Sequence, residues 1–191
     1  MATPKTDAEI LKIARDILAT EGLGGVSFDA IARRLGRSKQ AVLYWYPTKQ
    51  ALLAAMYLPW LEAETEAGLE ALRSAPEGRA AIVGFVRAIA AFHFRDLDRF
   101  RAMYLMPQTL KRTGQDATAA GFVAQVHPVT DRLYSALADH CGGDRQQAVA
   151  IHSAVLGMVM LFGLADSLDD PLKHSQDEMT EALISRLTGA K

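Results

Sequence analysis

Apolar residues recur along most of this chain at the spacing of one helical face, and no stretch keeps the two-residue alternation of a strand. Near the N-terminus such a face is formed by Ile10, Ile13, Ala14, Ile17 and Leu18. Comparable faces return in several later segments, separated by Gly, Pro and capping residues. The pattern therefore predicts an all-α protein.

Two short helices with a tight turn between them are predicted within residues 27–47. The apolar positions of the first helix lie on a single face: Phe28, Ile31, Ala32 and Leu35. Ser27 can cap its start, and Gly36 can adopt the left-handed conformation that ends a helix. Ser38 can cap a second helix over 39–46, which Pro47 ends because proline disfavours helical geometry in the preceding residue. This arrangement is typical of a helix-turn-helix that reads the major groove of DNA.

The rest of the chain predicts further helices. Thr6 and Glu9 have the spacing of a capping box that opens the first helix, and Thr48 can cap a long helix that Pro59 should kink or break. Later helices are predicted over 76–97, 98–106 and 117–141, from Asp144, and from a capping box at Ser175. The predicted architecture is a three-helix head, residues 1–50, joined by the long helix to a larger helical body, residues 51–191.

Composition narrows the function classes. The net charge of the 191 residues is -1, but residues 1–50 hold eight Lys and Arg against five Asp and Glu, so a basic head precedes an acidic body. The lone Cys141 excludes an internal disulfide and fits a reducing cytoplasm, and no apolar run reaches the length of a membrane span. No metal-ligand spacing and no nucleotide-binding or hydrolase motif is found, so we expect no cofactor, metal or catalytic residue.

The head resembles a TetR/AcrR-type transcriptional regulator over roughly residues 6–56. The resemblance depends on Phe28, Ile31, Ala32, Leu35, Gly36, Ser38, Tyr46, Pro47, Lys49 and Leu52, which match the family's spacing without a gap. It implies a dimer whose heads bind DNA and whose bodies bind a small effector. There is one departure: Leu43 occupies the place of the family's phosphate-contacting tyrosine, and the adjacent Tyr44 could take over that contact.

The expected DNA contacts lie at the second helix of the turn and just after it: Arg37, Ser38, Lys39, Gln40, Ala41, Tyr44, Trp45 and Lys49. Lys39 could donate to guanine and Gln40 could pair with adenine, whereas Tyr44 and Lys49 suit phosphates. Trp45 could equally belong to the core of the head. The expected partner is a near-palindromic duplex.

An effector site is expected in the body, because aromatic and methionine side chains suit a mostly apolar ligand. Its candidate residues are Ile89, Phe92, His93, Met103, Tyr104 and Phe122. Ligand-driven tilting of the helix that contains Pro59 could then change the separation of the two heads. The alternative is that these side chains are plain core and that DNA binding is constitutive.

A homodimer is expected through the last two helices, because residues 154–165 are apolar all round the helix. The candidate interface residues are Ile151, Val155, Met158, Val159, Phe162, Leu183, Ile184 and Leu187. The alternative is a central core helix within one subunit. The predicted function is thus a cytoplasmic, ligand-responsive repressor, released by its effector and not bound to membranes. The competing class is an all-α enzyme or carrier whose head only resembles a DNA reader.

Overall fold

In the computed structural model the chain is helical through the described residues, which are 4–105 and 117–189; side chains are described for 6–22, 24–105 and 123–189. Within these ranges no β-strand occurs, and the predicted all-α class is confirmed. The helices are α1 Pro4–Gly25, α2 Phe28–Leu35, α3 Lys39–Trp45, α4 Lys49–Ser74, α5 Arg79–Phe94, α6 Leu97–Phe100, α7 Ala117–Asp139, α8 Arg145–Ser167 and α9 Gln176–Thr188. A π-helical turn, Arg101–Leu105, follows α6.

The chain forms two compact units, which we call the head and the body. Among the described residues, the head comprises 4–60, 102–105 and 117–126, and the body comprises 61–101 and 127–189. The helix α4 continues through Pro59 and so contributes to both units. Because Leu52 and Met56 of α4 are buried in the core of the head, the head extends beyond the boundary expected at residue 50.

The core of the head is built by α1 to α4 together. Its fully buried side chains include Ile10, Ala14, Ile17, Val26, Ile31, Val42, Leu52 and Met56. Tyr46, just after α3, donates a hydrogen bond to Asp7 of α1 and so fixes the end of α3. Burial and this carboxylate raise the pKa of Tyr46 above its usual range, so its hydroxyl stays a donor. The predicted capping box at Thr6 is not where α1 begins, because Pro4 already occupies the first helical position.

The core of the body is formed by α5, the second half of α4, and parts of α7, α8 and α9. Two predicted starts are confirmed: Asp144 caps α8, and Ser175 with Glu178 forms the capping box of α9. The helix expected from residue 76 begins instead at Arg79. Its preceding residue, Gly78, has a φ of 68°, which breaks the helical path there.

Among the described helices, α8 is the one long and apolar enough to cross a membrane by length and composition. Half of that apolar stretch is buried inside the structure, and a core helix meets the same criterion of length and composition. The other half faces outward and becomes important below.

Candidate nucleic-acid interface

The turn between α2 and α3 is built by the capping residues that the sequence indicated. The hydroxyl of Ser27 accepts from the Ala30 amide at 3.1 Å, and that of Ser38 accepts from the Ala41 amide at 3.3 Å. Between the two helices Gly36 has φ 66° and ψ 32°, in the left-handed region. Thr48 caps α4 in the same way, through the Ala51 amide at 3.0 Å. The predicted caps and turn of the helix-turn-helix are therefore confirmed, and α3 ends at Trp45, one residue before the predicted end.

One side of α3 is left open by this arrangement. Val42 is fully buried and fixes α3 on the head. The side chains of Arg37, Ser38, Lys39 and Gln40 are exposed, whereas Ala41 and Lys49 are partly buried. The N-terminal end of α3, which helix-turn-helix proteins present to base edges, is thus accessible and polar.

The aromatic residues of α3 divide between surface and core. Tyr44 is 75% exposed, the most exposed large apolar residue among the described side chains. Trp45 is half-buried against the core of the head and lies edge-on to Tyr44, with ring centroids 5.8 Å apart. Leu43 is also half-buried. Tyr44 is therefore the accessible aromatic ring of α3, and the half-buried Trp45 packs against it.

Two ion pairs order cations of the head. Lys39 Nζ lies 2.8 Å from the Asp29 carboxylate, with both side chains at least half exposed. Arg34 of α2 pairs with Glu21 of α1, with both side chains a little under half exposed. Arg33 and Arg37 remain exposed. The cations next to α3 are therefore not equivalent: Lys39 is oriented by a carboxylate, and Arg37 projects from the turn.

The sequence of this unit matches a known family. Residues 10–56 match the profile of the tetR family of bacterial regulatory proteins. The head is therefore similar to the matching domain of tetR-family regulators. This match, together with the open face of α3, points to DNA binding by the head. Among curated proteins, none matches this chain in sequence.

Solved structures share the fold over nearly the whole chain. The TetR family transcriptional regulator PfmR from Thermus thermophilus is 22% identical, with a TM-score of 0.62, covering 94% of this chain and 97% of its own. A protein of unknown function from Rhodococcus sp. RHA1 is 21% identical, with a TM-score of 0.72, covering 96% and 93%. The multidrug binding protein EbrR, solved with imidazole, is 17% identical, with a TM-score of 0.63, covering 97% and 96%. At these identities the likeness establishes the fold alone.

The residues expected at an effector site do not all fall in one unit. Ile89 and His93 are fully buried in the body, and Phe92 is partly buried there. Met103 and Tyr104 belong to the head. The side chain of Phe122 lies outside the described residues. A site formed by all six therefore stays a prediction.

His93 belongs to a buried polar cluster that the sequence did not indicate. The carboxylate of Glu64 on α4 is fully buried, with His152 Nε2 of α8 at 2.8 Å and His93 Nε2 of α5 at 3.2 Å from the same oxygen. On the far side, the Tyr134 hydroxyl of α7 lies 3.1 Å from His152 Nδ1. Three helices of the body thus meet at one carboxylate, and α7 joins them through His152; we call these four residues the Glu64 cluster.

The Glu64 cluster holds a charge away from water. Burial by itself raises the pKa of Glu64, but the imidazoles of His152 and His93 outweigh burial and lower the pKa to about 2. The carboxylate is therefore ionised at neutral pH. Burial and the charge of Glu64 also raise the pKa of Tyr134, which keeps its phenol protonated. In the described part of the chain, no group of His, Cys, Asp and Glu has the arrangement of a metal site.

A helical-wheel projection of the sequence could have shown that Glu64 and His152 lie on core-facing sides of their helices. On α4 the buried positions Leu61, Thr65, Gly68 and Leu72 surround Glu64, so a glutamate occupies the apolar face. His152 likewise follows the buried Ile151 on α8. A charged residue on a core-facing position must find a partner, because an unpaired buried charge is costly. The sequence could show that a partner was needed, but not which residue it was.

The eight residues expected at a dimer interface lie on the inward side of the subunit. Buried in the subunit are Ile151, Val155, Met158, Val159, Phe162 and Ile184, and packed against its core are Leu183 and Leu187. This burial agrees with the alternative of a central core helix. Periodicity identifies α8 as apolar on every side, but it does not tell which side the subunit's own helices cover.

The opposite face of α8 is apolar and uncovered. Its exposed side chains are Val149 at 38%, Met160 at 49%, Leu161 at 47%, Leu164 at 56% and, just after the helix, Leu168 at 66%. Gly157 lies on the same face, and a Cβ built there meets nothing within 4 Å in the subunit. We call this set the outer face of α8. From Gly157 onward its residues recur every three or four positions and so form one stripe.

Proposed function

We propose that this protein is a dimeric repressor that binds a near-palindromic operator through α3 and is released from it by a small effector. The observation that carries the proposal is the open N-terminal end of α3, where Lys39 and Gln40 are exposed, with Tyr44 exposed further along the same helix. Lys39 suits guanine O6 and N7, Gln40 suits adenine, and Tyr44 and Lys49 suit phosphates. A bacterial regulator of this kind acts in the cytoplasm, where its DNA is.

The proposed dimer forms through the outer face of α8. An apolar stripe of this length is unusual on a monomer and typical of an interface between subunits. A two-fold axis near α8 would pair the stripe with itself and provide the two heads that a near-palindromic site requires. Gly157 would allow the two backbones to approach closely. The interface residues proposed here replace the buried set that the sequence pattern favoured.

The proposed effector binds the body near Ile89, Phe92 and His93. Aromatic rings surround His93, with Phe92 and Phe100 edge-on at centroid distances of 5.1 and 5.2 Å. A small, mostly apolar molecule fits that chemistry, and a multidrug binding protein of the same fold has been solved with imidazole. The effector must bind the released form of the repressor more tightly, because equal affinity for both forms shifts nothing. A 100-fold preference corresponds to about 2.7 kcal/mol of coupling.

The proposal is tested by selecting bound sequences from a pool of random duplexes and measuring their affinity as a function of salt. We expect the wild type to select a near-palindromic site, with half-sites about 10 base pairs apart or a multiple of that. Lys39→Ala and Tyr44→Ala should each weaken binding to that site by roughly 1–3 kcal/mol where a base contact is lost. A folded double variant that binds the site like the wild type would contradict the assignment of α3.

A further inference from the structure

The ion pair between Asp29 and Lys39 joins the two helices of the helix-turn-helix at the edge of the proposed DNA-binding face. Asp29 lies in the first turn of α2, and Lys39 is the first residue of α3. The distance between Lys39 Nζ and Asp29 Oδ2 is 2.8 Å. The lysine side chain is 50% exposed and the aspartate 64%, so both are accessible from solvent.

Stability of the fold does not explain this pair. The start of α2 is already capped by Ser27, whose hydroxyl accepts from the Ala30 amide. The favourable interaction of Asp29 with the helix dipole would exist without Lys39. An exposed pair also contributes little to folding, since solvent screens the two charges. Its main consequence is therefore expected where Lys39 acts, on DNA.

The chemistry of lysine indicates how the pair with Asp29 affects the binding of Lys39 to DNA. A lysine ammonium carries three donors on a flexible stem, and by itself it is attracted to any phosphate. Asp29 accepts from one donor and fixes the direction of the side chain, which leaves two donors for guanine O6 and N7. The negative charge of Asp29 also offsets the sequence-independent attraction of Lys39 to the DNA backbone.

We propose that Asp29 is a positioning and specificity-determining residue of the head: it orients Lys39 toward a base edge and suppresses its non-specific binding to phosphates. The inference rests on the proposed DNA-binding function. It predicts that removing the carboxylate makes the protein a less selective binder, and not simply a weaker one.

The head offers a matched control in Glu21. Glu21 forms an exposed pair with Arg34, as Asp29 does with Lys39, but that pair joins α1 to α2 and includes no residue of α3. Asp29→Asn and Glu21→Gln each remove one negative charge and one ion pair from the same unit. A difference between them in base preference therefore reports on α3 and not on net charge.

The experiment selects sites from random duplex DNA with five full-length proteins: the wild type, Asp29→Asn, Lys39→Ala, the double variant and Glu21→Gln. We expect Asp29→Asn and Lys39→Ala to lose preference at the same position of each half-site, while Glu21→Gln keeps it. For Asp29→Asn the ratio of operator to non-operator affinity should fall at least about fivefold. Its binding to non-operator DNA should also become steeper in salt by about one unit. In the double variant, Asp29→Asn should add no further loss of base preference.

Each other outcome has a definite meaning. An unchanged site for Asp29→Asn, or a loss that persists in the Lys39→Ala background, overturns the proposal, because Asp29 then does not act through Lys39. If Asp29→Asn proves unfolded by circular dichroism, Asp29→Ser serves as the second variant with the same expectations. If the wild type selects no site at all, the proposed function itself fails. That result is distinct from a failure of Asp29 alone.

Discussion

Replacing Glu64 by glutamine should destabilise the body strongly, because the glutamine side chain keeps the size of the glutamate but lacks the charge that two imidazoles stabilise. The structure allows the magnitude to be worked out. The pKa of Glu64 is about 2 in the folded protein, against 4.5 for an ordinary glutamate. At about 1.4 kcal/mol per pH unit, that difference corresponds to about 3 kcal/mol at neutral pH. Leaving a buried polar group without its hydrogen-bond partner has a cost of about 1–3 kcal/mol, and more for a charged group, which is of the same size.

The sign of the pH dependence follows from the direction of the shift. A carboxylate whose pKa is lowered by folding stabilises the protein above its unfolded pKa of 4.5. The stabilisation is lost as the pH falls toward the folded value of about 2. The wild type should therefore exceed Glu64→Gln by about 3 kcal/mol at pH 7, and by about 1–1.5 kcal/mol at pH 3.

The assay is urea unfolding followed by circular dichroism, at one protein concentration because the stability of the proposed dimer would depend on that concentration. The control is Glu70→Gln on the same helix, whose carboxylate is exposed beside Arg73 and should matter little. A loss below about 1 kcal/mol for Glu64→Gln at pH 7, or a difference that does not change with pH, would refute the reasoning.

Three further predictions concern other parts of the chain. Gly68→Ala should destabilise by about 1–3 kcal/mol in thermal melts, because its Cβ would lie 2.9 Å from buried atoms of Leu133 and Phe85; Gly84→Ala, with no such clash, should not. Leu164→Glu should convert a dimer to a folded monomer in light scattering, because Leu164 is exposed within the subunit; an unchanged mass would exclude the outer face of α8 as the interface. Lys49→Ala should weaken binding to all DNA sequences about equally and lower the salt slope by about one unit, and a selective loss at one site would contradict a phosphate contact.

The helix-turn-helix could be read from the sequence because its determinants are local. Capping by Ser27 and Ser38 and the left-handed Gly36 each act within a few residues of the chain. The same holds for the caps at Asp144 and Ser175. Two predicted helix starts were wrong because another local feature decides them. The helix α1 begins at Pro4, ahead of the expected capping box, and the positive φ of Gly78 places the start of α5 at Arg79.

The candidate sites of the body could be read only in part, because they depend on contacts between distant segments. The sequence could place Glu64 and His152 on apolar helical faces, yet 88 residues separate them along the chain. Only the packing of α4 against α5 and α8 brings His93 and His152 to the Glu64 carboxylate. The pairing of Lys39 with Asp29 likewise needed the angle between α2 and α3.

By itself the sequence determined that the protein is helical, where most helices begin and end, and that its head has the pattern of a DNA reader. These properties follow from periodicity, capping and turn chemistry, which short segments contain in full. The tertiary structure decided which side of α8 is core and which is open, and which partners satisfy a buried carboxylate. An apolar helix can bury either side, and a buried charge accepts any suitable partner. Only the docking of the other helices resolves both choices.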